Sequence, residues 1–262
     1  MAFTLDKFSL QGKVAIVTGA GGRKHSIGEA YCFGLAAAGA TVIAADINEA
    51  GAKDLASRLT EAGYKAIGAQ VNIVDQASID ALVKLVADQF GGADILVNNA
   101  ALMAELKYEA GVMGADNAEW DRVMNVNLKG AWLMARAFAP QMIARGGGKI
   151  VNQVSAGAFP AQSLYGIAKL ATVGLTTTLA RELGGQKINV NAIAPGNTMS
   201  EAGAALTPEG SAYHEMVKAM CTVNPFGQPD DLVGALLLLV SPAGEWMSGQ
   251  VLHVDGGLIL RP

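Results

Sequence analysis

Cysteine is nearly absent from this chain: Cys32 and Cys221 are the two among 262 residues. Two are too few for a disulfide framework and read as reduced packing residues. The three histidines, His25, His214 and His253, are scattered without ligand spacing, so no metal is expected. Charged residues make up only 16% of the chain and the formal net charge is −4. That balance offers no field to attract nucleic acid or an anionic membrane, and neither partner is expected. Long apolar runs are missing as well. The most apolar stretch near the end, Leu232 to Val240, is far short of the roughly 18 residues of a membrane span and reads as a core helix. The opening MAFTLDKFSL has no basic stretch followed by an apolar one. No secretory signal is read there, and a cytoplasmic location is expected.

What the chain has is apolar and glycine-rich: 51% hydrophobic residues and 32 glycines. Short β-branched runs alternate with segments of helical period. Val14–Val17, Thr41–Ala45, Ala66–Val71, Ile95–Val97, Ile150–Val154, Ile188–Ile193 and Val251–Val254 read as strands. Ile27, Ala30, Tyr31, Gly34, Leu35 and Ala38 recur at helical spacing, with Gly39 as a stop signal. Further helices are expected over Ala50–Ala62, Gln76–Phe90, Ala118–Ala144, Leu164–Leu183 and Asp230–Val240. This βαβ rhythm predicts an α/β fold: one doubly wound parallel sheet of about seven strands, helices on both faces. No linker or repeat divides it, so 1–262 is expected to be a single domain. The segment 197–224 falls outside the rhythm and is long enough to form a lid over a substrate.

The first strand runs into Thr18-Gly19-Ala20-Gly21-Gly22-Arg23-Lys24-His25-Ser26-Ile27-Gly28, and a helix follows. Glycines after a strand allow a turn and close approach of backbone N–H groups, and the helix start favours a pyrophosphate. Gly19, Ser26, Ile27 and Gly28 are therefore candidate dinucleotide contacts. Asp46 ends the second strand about 18 residues beyond Gly28, where a carboxylate can accept hydrogen bonds from the adenosine ribose and repel a 2′-phosphate. That favours NAD over NADP, while Arg23 and Lys24 in the same loop leave NADP open.

Tyr165 and Lys169 lie four apart on an expected helix, on one face and about one turn from each other. A tyrosine ordinarily ionises near 10, so it works as a base near neutrality only beside a stabilising positive charge. Ser155, at the end of the fifth strand, is placed to hydrogen-bond a substrate oxygen. Capping or turn roles would equally account for Ser155 and Asn127 on their own.

In order along the chain stand the Thr18-Gly19 loop, Asn98-Asn99-Ala100, Asn127, Ser155, Tyr165-x-x-x-Lys169, Pro195-Gly196 and Asp255-Gly256-Gly257. On these motifs the chain resembles the short-chain dehydrogenase/reductase family over nearly its whole length. The resemblance implies a nicotinamide cofactor, hydride transfer at a carbonyl carbon, and a homotetramer or homodimer. It implies that Tyr165 is the general acid/base, that Lys169 also holds the nicotinamide ribose, and that Asn127 holds a water linking Lys169 to solvent. It further places Asn99 and Ala100 on the adenosine side, Asn72 and Ile73 beside the adenine, and Pro195, Gly196 and Thr198 or Ser200 along the nicotinamide.

The pattern is not followed everywhere. The glycine loop is longer than usual, and Ser26 stands where a glycine is expected. The stretch from Ser155 to Tyr165 is short, which makes Ser163 a competitor of Ser155. Ala101 replaces a glycine, and the stretch from Ala101 to Trp120 is long. A long loop followed by Ser-Ile also resembles the enoyl-thioester reductases of this superfamily, whose Tyr and Lys stand farther apart. The expected function is interconversion of a small-molecule secondary alcohol and a ketone with NAD(H). The alternatives are enoyl-thioester reduction and a catalytically silent NAD-binding sensor.

Overall fold

A computed structural model describes residues 4–103, 106, 111–223 and 226–260. Chain order runs β1 (Val14–Thr18), α1 (Ile27–Ala37), β2 (Thr41–Asp46), α2 (Glu49–Glu61), β3 (Ala66–Gln70), α3 (Gln76–Phe90) and β4 (Ile95–Asn98). It continues with α4 (Asn117–Met124), a π-helical turn (Asn125–Lys129), α5 (Gly130–Ala144), β5 (Gly148–Gln153), α6 (Leu164–Leu183) and β6 (Ile188–Pro195). The last elements are α7 (Glu201–Leu206), α8 (Ala212–Met220), α9 (Val233–Val240) and β7 (Val251–Val254). The strands form a seven-stranded sheet in the order β3-β2-β1-β4-β5-β6-β7, all parallel. The order reverses beside β1, so the ends of β1 and β4 border the crevice in which such sheets bind ligands.

Alternation along the strands explains the two-faced core. Val14, Ile16, Ile43 and Ala45 face a cluster with Ile79, Leu82, Phe138 and Met142 of α3 and α5. Ala15, Val17, Val42 and Ala44 face the opposite cluster, with Tyr31, Leu35, Leu55 and Leu236 of α1, α2 and α9. Both faces being apolar, the strands read as continuous hydrophobic runs, as expected of a buried parallel sheet. Helices begin where short polar side chains take over orphan N–H groups: Ser26, Asn48, Asp75, Asp116 and Ser163 each accept one from the first turn.

Two expected elements differ. The helix expected over Ala118–Ala144 runs without a break from Asn117 to Ala144 but carries a π-helical turn at Asn125–Lys129, which the sequence reading did not locate. The fifth strand ends at Gln153, where pairing with Ile193 of β6 stops. Ser155 lies past the strand end and caps the turn Ala156–Ala158. No described helix is long and apolar enough to cross a membrane.

Candidate active site

The glycine loop lies at the carboxyl end of β1. Gly19 has φ +68, and a Cβ there would stand 2.6 Å from Cα of Ala100. A Cβ on Gly28 would stand 2.6 Å from the Gly19 carbonyl oxygen and 2.8 Å from Nδ2 of Asn99. Only glycine lets these segments meet. Asn99 completes the junction, its Nδ2 donating to the carbonyls of Thr18 at 2.8 Å and Gly19 at 3.1 Å. The Ala100 N–H donates to Thr18 Oγ1 at 3.1 Å.

Asp46 is buried and accepts from the Gly21 N–H and the Asn48 N–H, each at 2.9 Å. A Cβ on Gly22 would stand 3.6 Å from its Oδ2, an ordinary contact, so the turn passes close over the carboxylate. Beside it lies a cleft of about 340 Å³ lined by Gly21, Gly22, Arg23, Lys24, Gly51 and Arg58 among others. Asp46 supplies an acceptor behind the Gly21 edge of this cleft, the kind of group a ribose hydroxyl would donate to, and the exposed Arg23 and Lys24 line the same cleft. The loop is held from behind, because Glu29 accepts from the His25 N–H at 2.8 Å and pairs with Arg58. His25 takes a left-handed φ of 50, and its carbonyl accepts the N–H of Glu201 at 3.4 Å. The glycine loop thus touches the first residue of α7.

Lys169 is fully buried on α6, and its ammonium donates to the main-chain carbonyl of Gln153 at 2.7 Å. Burial pushes its pKa down from 10.5 to about 8. Its Nζ stands 5.6 Å from the centroid of the half-buried Tyr165 ring. Ser155 and Ser163 both serve as caps, accepting the N–H groups of Gly157 and Gly166 at 3.1 Å. Ser163 lines a pocket of about 20 Å³ with Tyr165, Leu164, Leu106 and Glu119. Asn127, in the π-helical turn, accepts the Leu102 N–H at 2.8 Å and donates to the Leu102 carbonyl at 3.0 Å. Its own carbonyl accepts from Thr172 at 3.1 Å. Of the stretch from Ala101 to Trp120, residues 104, 105 and 107–110 lie outside the described residues.

On the far side, Pro195 ends β6 and the Gly196 N–H donates to the Val254 carbonyl at 3.0 Å. Thr198 is buried and bridges to Gly227, the Met199 N–H donating to Gly227 at 2.8 Å and the Gly227 N–H to Asn197 at 3.0 Å. The segment read as a lid therefore carries α7 and α8 and is pinned at its base; Asn224, its last residue, lies outside the described residues. Asn72 and Ile73 follow β3. The Asn72 Oδ1 accepts the Val74 N–H at 3.2 Å, and the Ile73 side chain packs into the core against Gly130. Cys32 is buried, whereas Cys221 is only partly so.

The sequence reading missed a buried polar pair next to Lys169. Tyr31 donates its hydroxyl to Gln153 Oε1 at 2.8 Å. Its one trace in sequence is that Asn152 and Gln153 interrupt a run otherwise read as an apolar strand.

The chain is similar to proteins of known class over nearly all its length. A family model described as enoyl-(acyl carrier protein) reductase matches residues 21–259. An uncharacterised oxidoreductase of Mycobacterium tuberculosis is 46% identical over 252 residues, covering 95% of this chain and 98% of that one. The 3-oxoacyl-(acyl-carrier-protein) reductase of Thermotoga maritima is 35% identical, covering 96% and 99%. Among solved structures, a gluconate 5-dehydrogenase from Burkholderia cenocepacia in complex with NADP and tartrate superposes with a TM-score of 0.88 at 34% identity, over 97% of each chain. A 7α-hydroxysteroid dehydrogenase complexed with NADH and 7-oxo glycochenodeoxycholic acid gives 0.89 at 32%, over 98% of each.

Proposed function

Because the chain belongs to the short-chain dehydrogenase/reductase family, we propose that it interconverts a secondary alcohol and a ketone with NAD(H), on one catalytic domain spanning 1–262. That it is an oxidoreductase of this family follows from the comparisons themselves. The observation that carries the finer reading is the buried Lys169 ammonium beside the Tyr165 ring. Bringing a phenol from about 10 toward neutrality takes two to three pKa units, roughly 3–4 kcal/mol, within reach of a close cation sheltered from water.

Tyr165 takes the alcohol proton in oxidation and returns it to the alkoxide in reduction. Ser155, partly exposed past the end of β5, hydrogen-bonds the substrate oxygen. Asn127 fastens the Leu102 backbone opposite α6. The nicotinamide, when bound, supplies or receives the hydride. Gly19, Ser26, Ile27 and Gly28 would hold its pyrophosphate, Asp46 the adenosine ribose, Asn72, Asn99, Ala100 and the main chain at Ile73 the adenine end, and Pro195, Gly196 and Thr198 the nicotinamide end. Lys169 would hold the second ribose as well.

NAD is favoured by the Asp46 carboxylate behind the Gly21 turn, which would repel a 2′-phosphate; the basic cleft at Arg23 and Lys24 supports NADP as the second choice. Enoyl reduction is a second reading, supported by the long glycine loop and by the description of the matching family model. A panel of secondary alcohols with NAD and NADP, run beside an unsaturated thioester with NADH, tests these readings. Turnover of the thioester while alcohols and ketones fail would overturn the first. Self-association belongs to the proposal too: Trp120, Trp132, Ile143 and Leu170 on α4, α5 and α6 leave large apolar side chains exposed.

A further inference from the structure

A buried phenol or amide in an apolar cluster costs stability unless it finds a partner, and an apolar pair would fill the same space without that demand. Tyr31 and Gln153 are both buried, and Tyr31 lies in the cluster between the sheet and α1, α2 and α9. Burial pushes the Tyr31 phenol up, so it stays a donor, and Gln153 Oε1 accepts it at 2.8 Å. Gln153 is the last residue of β5. The same residue offers its main-chain carbonyl to the Lys169 ammonium at 2.7 Å. One peptide is thus held from α1 through its side chain and grips α6 through its carbonyl. Ser155 follows two positions later, so the placement of both residues depends on how this strand end is set.

We propose that Tyr31 and Gln153 are positioning residues for the reaction, locking the end of β5 so that the Gln153 carbonyl holds the Lys169 ammonium against Tyr165. The inference rests on the reading of Lys169 as the charge that lowers the Tyr165 phenol. A firm carbonyl bond favours the charged ammonium. Loosening it lowers the affinity of Lys169 for its proton, weakens support of the phenolate, and moves the acid limb of the oxidation profile to higher pH.

The test is Tyr31→Phe, which removes one hydroxyl, and Tyr31→Phe/Gln153→Leu, which replaces the pair by apolar side chains. Two readouts are followed in each: the pH profile of kcat for alcohol oxidation, and the titration of Lys169 by NMR in isotopically lysine-labelled protein, assigned with Lys169→Met. Expected are a fall in kcat of roughly tenfold, as for loss of one buried hydrogen bond, and a downward Lys169 shift of about half a unit or more. The acid limb should rise in step. A wild-type Lys169 titration in a folded Tyr31→Phe or double variant overturns the proposal, whatever happens to thermal stability. Should Tyr31→Phe fail to fold, the double variant carries the same readouts. The titration needs no substrate, so it decides the proposal even if the chain turns over none of the panel and the proposed reaction fails.

Discussion

The Asp46 carboxylate lies 2.9 Å from the Gly21 amide nitrogen and accepts its hydrogen. The group assigned to the adenosine ribose therefore also shapes the phosphate loop. Asp46→Ala is expected to lower the NAD/NADP preference by about tenfold or more, roughly 1.4 kcal/mol. It should also lower stability by about 1–3 kcal/mol, because the Gly21 and Asn48 N–H groups lose their acceptor. Steady-state kinetics with both dinucleotides and a denaturant melt check the two effects. A wild-type enzyme that prefers NADP would remove Asp46 from its role.

Tyr165→Phe separates chemistry from binding. Turnover should fall by at least about 10²-fold, while calorimetric affinity for dinucleotide changes little. Near-normal turnover in a folded variant would end the mechanism.

Ser155 and Ser163 both cap a helical turn, so stability alone does not tell them apart. Ser163→Ala should cost about 0.5–2 kcal/mol at the start of α6 and spare most of the turnover. Ser155→Ala should depress turnover more than Ser163→Ala does. The reverse order in kcat would hand the substrate oxygen to Ser163.

Lys169 carries a stability signature of its own. Its folded pKa of about 8 lies below the ordinary 10.5, so the unfolded chain binds the proton more tightly. Stability therefore rises with pH between about 8 and 10.5, and below that window the burial penalty is present in full. Lys169→Met removes that penalty but leaves the Gln153 carbonyl without its donor, so its stability relative to the parent should fall by an amount on the order of 2–3 kcal/mol between pH 7 and 10.5. That change with pH, not the offset at any one pH, is the expected result; urea melts across pH 7–10.5 read it directly.

Sedimentation at micromolar concentration should give a closed dimer or tetramer. Trp132→Glu together with Leu170→Glu, on the exposed faces of α5 and α6, should shift it toward monomer.

Much of this architecture was legible from local pattern. Parallel strands buried on both faces leave continuous apolar runs, and Tyr165 and Lys169 announce themselves because four residues make one helical turn. What stayed hidden is tertiary. Tyr31 and Gln153 are 122 residues apart, and only the packing of α1 against β5 makes them partners. Glu29 and Arg58 tie the glycine loop across 29 residues, which explains how a loop longer than usual keeps its shape. The π-helical turn at Asn125–Lys129 escaped because one extra residue leaves the apolar period on either side intact.

The bridge between Thr198 and Gly227 gives the intervening segment a base of its own, and Glu201, Thr222 and Val223 tie it further to the carbonyls of His25 and Gly256. Such a closed stem makes the stretch replaceable as a cassette. Its residues can be exchanged, lengthened or diversified between two fixed posts while the sheet and Lys169 keep their positions, provided the Glu201 contact to the glycine loop is retained. Directed evolution of substrate range has a natural boundary there, and grafting a relative's segment between those posts is the conservative way to move specificity without rebuilding the enzyme.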